Sequence, residues 1–105
     1  MTTTVTVSIG RNVNLSTGPE PMGDERWASF KSAVADELGL YSGGRIHFLG
    51  EGIGYFDGGF EKSYTVVATV ENPVNLYHTL ADLAREYDQE SIALTTGQTA
   101  FPGSE

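Results

Sequence analysis

The chain has 105 residues, with 14 acidic residues against 6 Lys and Arg, two histidines and no cysteine, so its formal net charge is -8. This length fits one domain with one modest core, and the lack of cysteine excludes disulfides, thiolate metal sites and a cysteine nucleophile. The acidic balance disfavours nucleic-acid phosphates and favours a basic protein partner.

The sequence indicates a cytoplasmic protein with no membrane partner. Its N-terminus lacks the basic and apolar segments of a secretory signal. No apolar run approaches the ~20 residues that a membrane-spanning helix needs. We predict a single domain over residues 1–96 and a C-terminal tail over 97–105.

The first predicted elements are a strand and a helix. Residues 2–10 alternate between apolar and hydroxyl side chains, which is typical of a half-buried strand. A loop rich in Gly, Pro and Ser follows. A helix is then predicted over 24–38 from apolar residues at spacings of three and four, which are Trp27, Phe30, Val34 and Leu38.

Residues 45–71 are predicted to form a hairpin around the turn Asp57-Gly58-Gly59, because glycines supply the backbone conformations of tight turns. The register that separates apolar from polar side chains best places Phe48 opposite Ala68, on the side that faces the core. The same register places Leu49 opposite Val67 on the other side.

A second helix and a last strand complete the pattern. Asn72 is a typical N-cap and Pro73 suits the first helical position, so we predict a helix from there to about Asp88. Residues 91–96 alternate again and form the last strand. The order βαββαβ predicts an α+β, ferredoxin-like fold, in which a four-stranded antiparallel sheet carries both helices on one face.

Four segments carry a resemblance to a known group of proteins. They are Ile9-Gly10-Arg11, Trp27-Ala28-Ser29-Phe30, Glu61-Lys62-Ser63-Tyr64 and Tyr87-Asp88-Gln89-Glu90-Ser91-Ile92. With these segments the chain resembles a family of small uncharacterised bacterial proteins and similar hypothetical proteins of actinobacterial phages. The resemblance implies the ferredoxin-like fold, is compatible with a phage-encoded origin and brings no established activity.

No catalytic site, metal site or cofactor is predicted. His47 and Glu51 share a strand face, but four residues along a strand span ~13 Å, too far for one metal ion. The alternating glycines of Gly50-Glu51-Gly52-Ile53-Gly54 lie in a hairpin, whereas a dinucleotide fingerprint opens a helix. No serine stands in a nucleophile context beside either histidine.

The sheet face opposite the helices is the predicted interface. Its apolar and hydroxyl residues suggest a homodimer that forms through this face. The predicted interface residues are Leu49, Ile53, Tyr55, Thr65, Val67 and Thr69. The alternative is that the tail, with Phe101, covers this face instead.

Two classes of function stay open. The favoured one is a small, acidic, non-enzymatic accessory module, which meets a protein partner through its open sheet face or its acidic helical face; a nucleic-acid mimic is a special case. The alternative is a small-molecule-binding protein or small enzyme, with a pocket near the loop after the first strand. The candidate ligand-binding residues are Arg11, Asn12, Asn14 and His47, with Tyr55 beside them.

Overall fold

The computed structural model describes residues 2–15, 18–56, 59–89 and 92–97. The helices are α1 (Asp24–Ser42) and α2 (Pro73–Glu86). The strands are β1 (Thr3–Gly10), β2 (Asn12–Leu15), β3 (Gly18–Pro21), β4 (Ile46–Phe56), β5 (Gly59–Val70) and β6 (Ala93–Gly97).

Four of the strands form one antiparallel sheet in the order β4-β5-β1-β6. Alternate residues of β1 and β5 are buried, and together with the buried residues of both helices they form a single core cluster. Both helices therefore pack on the same face of the sheet. The predicted α+β fold, with two helices and a four-stranded antiparallel sheet, is confirmed.

A second sheet of two strands, β2 and β3, was not predicted. The predicted order βαββαβ therefore lacks two strands, because this hairpin lies between β1 and α1. Each of its strands has only four residues, and Pro19 and Pro21 lie in one of them. Short strands with proline have a pattern that is hard to distinguish from a loop.

The ends of the helices are partly as predicted. Asn72 is the N-cap of α2, and its side chain accepts a hydrogen bond from the Asn75 backbone N–H at 3.1 Å. The prediction that α1 ends before Gly39 is wrong. The helix continues to Ser42 and ends at Gly43, whose φ of 62° is the left-handed conformation common at helix C-termini.

The predicted register of the β4–β5 hairpin is wrong by one residue. Phe48 lies opposite Val67, and Leu49 lies opposite the buried Val66. The last paired residues of β4 and β5 are Phe56 and Gly59. Only two residues therefore connect the strands, and Gly59 belongs to β5 instead of the predicted turn. A one-residue shift moves every side chain to the other face.

A bulge near the start of β4 changes the pairing a second time. Ile46 lies opposite Ala68, while Phe48 lies opposite Val67, so His47 is the extra residue. A bulge lets neighbouring residues on one strand face the same way. Ile46 packs against the core, as predicted, but Phe48 does not and its side chain is 56% exposed.

Candidate functional site

The open face is the side of the four-stranded sheet that is turned away from both helices. Its residues alternate along β1 and β5 with the buried ones, and those on β4 and β6 lie opposite them. The hydroxyl residues are Thr4, Thr6, Ser8, Ser63, Thr65, Thr69 and Thr95. The others are Gly10, His47, Phe48, Gly50, Gly52, Gly54, Glu61, Val67, Ala93 and Gly97.

The open face carries almost no charge. Among its described side chains Glu61 is the only carboxylate, and none is Lys or Arg. The Glu61 carboxylate accepts a hydrogen bond from the Asn12 backbone N–H at 2.8 Å, so it is engaged within the chain. The two helices contrast with this face, because their sequences hold six acidic residues against three basic ones.

Hydroxyl side chains on the open face join neighbouring strands. Ser8 Oγ and Thr65 Oγ1 lie 3.2 Å apart and connect β1 with β5. His47 Nε2 lies 2.6 Å from Thr69 Oγ1 and connects the bulge of β4 with β5. These contacts satisfy polar atoms of the open face within the chain.

Phe48 is the largest exposed apolar side chain described on the open face. It lies over its neighbour Gly50, where an added Cβ would be 3.0 Å from the ring atom Cζ. Val67 lies directly opposite Phe48 and is half-buried. The two residues form an apolar patch on a surface whose other residues are mainly hydroxyl residues and glycines, together with His47, Glu61 and Ala93.

The predicted interface residues divide between the two sides of the sheet. Thr65, Val67 and Thr69 lie on the open face. Leu49 and Ile53 lie on the helix side, since they alternate with open-face glycines and Leu49 is opposite Val66. The side chain of Tyr55 is outside the described part of the chain. Phe48 was missed because the bulge at His47 leaves no mark in the sequence pattern.

An ion pair supports this assignment of sides. Lys31 of α1 donates a hydrogen bond to Glu51, which lies between Leu49 and Ile53 on β4. This hydrogen bond is the main cause that lowers the pKa of the Glu51 carboxyl from its ordinary value of 4.5. Because α1 reaches Glu51, that side of β4 faces the helices.

Arg11 and Asn12, two of the predicted ligand-binding residues, are engaged in structural contacts. Arg11 Nε donates to the Met22 carbonyl at 2.7 Å, and its Nη2 donates to Asp24 Oδ1 at 2.7 Å. The Asn12 carbonyl accepts a bond from Gln89 Nε2 at 2.8 Å. These bonds attach the β2–β3 hairpin to α1 and to the end of α2.

The structure places His47, another predicted ligand-binding residue, far from Arg11, so these two residues do not share a pocket. The backbone of Arg11 bonds to Lys62, whereas the ring of His47 bonds to Thr69, seven residues further along β5. Seven residues of strand span roughly 23 Å. The side chain of Asn14 is outside the described residues.

Two further features of the described residues bear on function. Within the described part of the chain, no group of three or more His, Asp or Glu side chains is placed to hold a metal ion. Neither α1 nor α2, the helices of the described ranges, combines the length and the apolar character needed to cross a membrane.

Comparison of the chain with protein-family models, with curated proteins and with solved structures gives no match. The resemblance to small bacterial and phage proteins stays a prediction. Function must therefore be argued from the physical properties of the surface.

Proposed function

We propose that the protein is a non-enzymatic interaction module that forms a homodimer by packing two open faces against each other. The observation that carries this proposal is the contrast between the charge of the whole chain, -8, and an open face with a single, internally bonded carboxylate. Such a face has one carboxylate to desolvate, and the desolvation of charges is the costly part of forming an interface.

The fold provides the bare face. With the β2–β3 hairpin regarded as an insertion, we propose that the remaining elements form a ferredoxin-like βαββαβ arrangement. The sheet order β4-β5-β1-β6 supports this, since each helix then connects two parallel strands that flank a third. In such an arrangement both helices cover one side of the sheet and leave the other side open.

The distribution of charge favours a second copy as the occupant. When two open faces meet, both helical layers point outward, and their acidic side chains are separated by the full thickness of the dimer. A contact through the helices would bring those carboxylates together, and like charges repel more strongly as they approach. The open face is thus the side on which two molecules of charge -8 can meet with least repulsion.

The area of the open face is sufficient for a dimer. A strand spacing of ~4.8 Å and a rise of ~3.3 Å per residue give it an area of roughly 600 Å². Two faces then bury about 1,200 Å² in total, which lies at the lower end of stable protein interfaces. Packed sheets lie ~10 Å apart, a distance that side chains such as Phe48 and Val67 fill.

Two substitutions on the β4–β5 hairpin test the proposal. Val67→Glu places a carboxylate on the open face, where the dimer would bury it near its symmetry mate. Leu49→Glu adds the same charge on the helix side, at a position that is 51% exposed. Light scattering after size exclusion should find the wild type and Leu49→Glu as dimers and Val67→Glu as a monomer.

Two results contradict the proposal. Equal dimerisation of Val67→Glu and the wild type would place the interface elsewhere. A wild-type monomer of 11.3 kDa at high micromolar concentration would favour the alternative that residues 99–105, with Phe101, cover the face.

A further inference from the structure

A groove lies between α2 and β6, on the opposite side of the sheet from the open face. Its floor is apolar and consists of Leu80, Ala84, Ile92 and Leu94. Its rim is polar and includes Arg85 and Gln89. We propose that this groove binds a small apolar carboxylate, with the apolar body on the floor and the carboxylate at Arg85.

The size of the groove limits the ligand. Its volume is about 180 Å³. An apolar cavity of about 150 Å³ is large enough for benzene. The groove therefore suits one ring or a short branched chain, and it is too small for the whole of a nucleotide or a long-chain lipid.

The floor presents apolar atoms from both elements. Leu80 and Ala84 are nearly buried within α2, with exposed fractions of 3% and 5%. Ile92 and Leu94 are half-buried and pack against the core from the side of β6. A ring on this floor would contact carbon on two sides, which gives the apolar part of the ligand its binding energy.

The rim supplies the charge that selects a carboxylate. Arg85 is the one charged residue among those that line the groove in the described part of the chain, although the chain as a whole is strongly acidic. Its hydrogen bond to Asp82 uses one of the five N–H groups of the guanidinium. A second carboxylate can share the same guanidinium, because its flat fork can hold acceptors on two edges.

Gln89 makes the rim rigid beside Arg85. Its side-chain amide donates to the Asn12 carbonyl at 2.8 Å, and its backbone N–H donates to the Ala84 carbonyl at 2.7 Å. These bonds fix the segment that follows α2 against the start of β2. The groove is thus formed in the free protein, and the ligand has little ordering cost to overcome.

Benzoate is a suitable probe, because it combines one ring with one carboxylate, and benzylamine is its matched control of opposite charge. In amide NMR spectra of the full chain, benzoate should shift resonances of α2 and β6 in a saturable way, with an affinity in the millimolar range. Benzylamine should not shift them. Since this readout is local to the groove, its result does not depend on whether the open faces form a dimer.

Substitutions identify the two parts of the site. Arg85→Gln should weaken benzoate binding at least tenfold, whereas Lys62→Gln, which removes the same charge from β5, should leave it unchanged. Ala81→Leu, at a half-buried lining position, should fill the groove and abolish binding while the spectrum keeps its native dispersion. Equal shifts with benzylamine, unchanged binding to Arg85→Gln or Ala81→Leu, or no saturable shift with benzoate would each overturn the proposal.

Discussion

Two glycines near the end of α1 differ in how strictly their positions require glycine. Gly43 has a φ of 62°, a conformation that residues with a Cβ adopt only with strain. Gly39 lies within the helix, and beyond the adjacent backbone of the helix itself a Cβ added there would meet no atom within 4 Å. One glycine is therefore required by the backbone and the other is not.

Substitution of each glycine by alanine should change stability in opposite directions. Gly39→Ala should raise the free energy of unfolding by about 0.5–1 kcal/mol, since alanine favours the helix and restricts the unfolded chain. Gly43→Ala should lower it by about 1–2 kcal/mol, because of the left-handed φ. Urea unfolding measures both, and a loss of stability in Gly39→Ala would contradict the open space at this position.

At the scale of elements, the contact between α1 and β4 makes stability depend on pH. The pKa of the Glu51 carboxyl is lowered in the folded state by its hydrogen bond to Lys31. The ionised carboxylate therefore stabilises the fold fully above pH 4.5, its ordinary pKa, and this contribution is lost as the pH falls through the folded-state pKa. Glu51→Gln should therefore melt below the wild type at neutral pH. The two melting temperatures should converge on acidification, and a constant difference would contradict this role.

The register of the β4–β5 hairpin can be tested by crosslinking, because the chain has no cysteine of its own. Gly52 and Ser63 lie directly opposite each other, so cysteines at these two positions should form a disulfide on oxidation. Cysteines at Ile53 and Ser63, which the sequence pattern pairs, lie on opposite sides of the sheet and should not. If only the cysteines at Ile53 and Ser63 formed a disulfide efficiently, the register in the structure would be contradicted and the sequence-based register would be supported.

The sequence predicted those elements whose signals are local. The alternation along β1, the apolar spacing from Trp27 to Leu38 and the Asn72-Pro73 start of α2 each identify one element without reference to another. The hairpin register depends instead on where the turn closes and on the bulge at His47. Neither leaves a mark in an apolar pattern, and so the sequence placed Leu49 and Phe48 on the wrong sides.

The candidate site was predicted in kind but only partly in residues. The sequence correctly indicated that one sheet face is left open by the helices, and Thr65, Val67 and Thr69 are on it. The near absence of charge on that face becomes visible only when the strands are aligned, because Glu51 then lies on the helix side. The structural roles of Arg11 and Asn12 depend on the β2–β3 hairpin, which was not predicted.

At the scale of the whole molecule, the proposed dimer depends on a nearly uncharged sheet face through which strongly acidic chains can meet. Most of the net charge of -8 would lie outside such an interface and oppose it through long-range repulsion. Salt screens this repulsion, with a Debye length that falls from about 30 Å at 0.01 M to about 8 Å at 0.15 M. The proposed dimer should therefore have a salt dependence opposite in sign to that of an interface held by ion pairs.

Sedimentation equilibrium of the wild type at low and at physiological ionic strength tests this claim most directly. The predicted result is a monomer–dimer equilibrium that approaches twice the chain mass of 11.3 kDa and tightens as salt is added. A mass of 11.3 kDa at every concentration and salt, or a dimer that dissociates as salt is added, would contradict it.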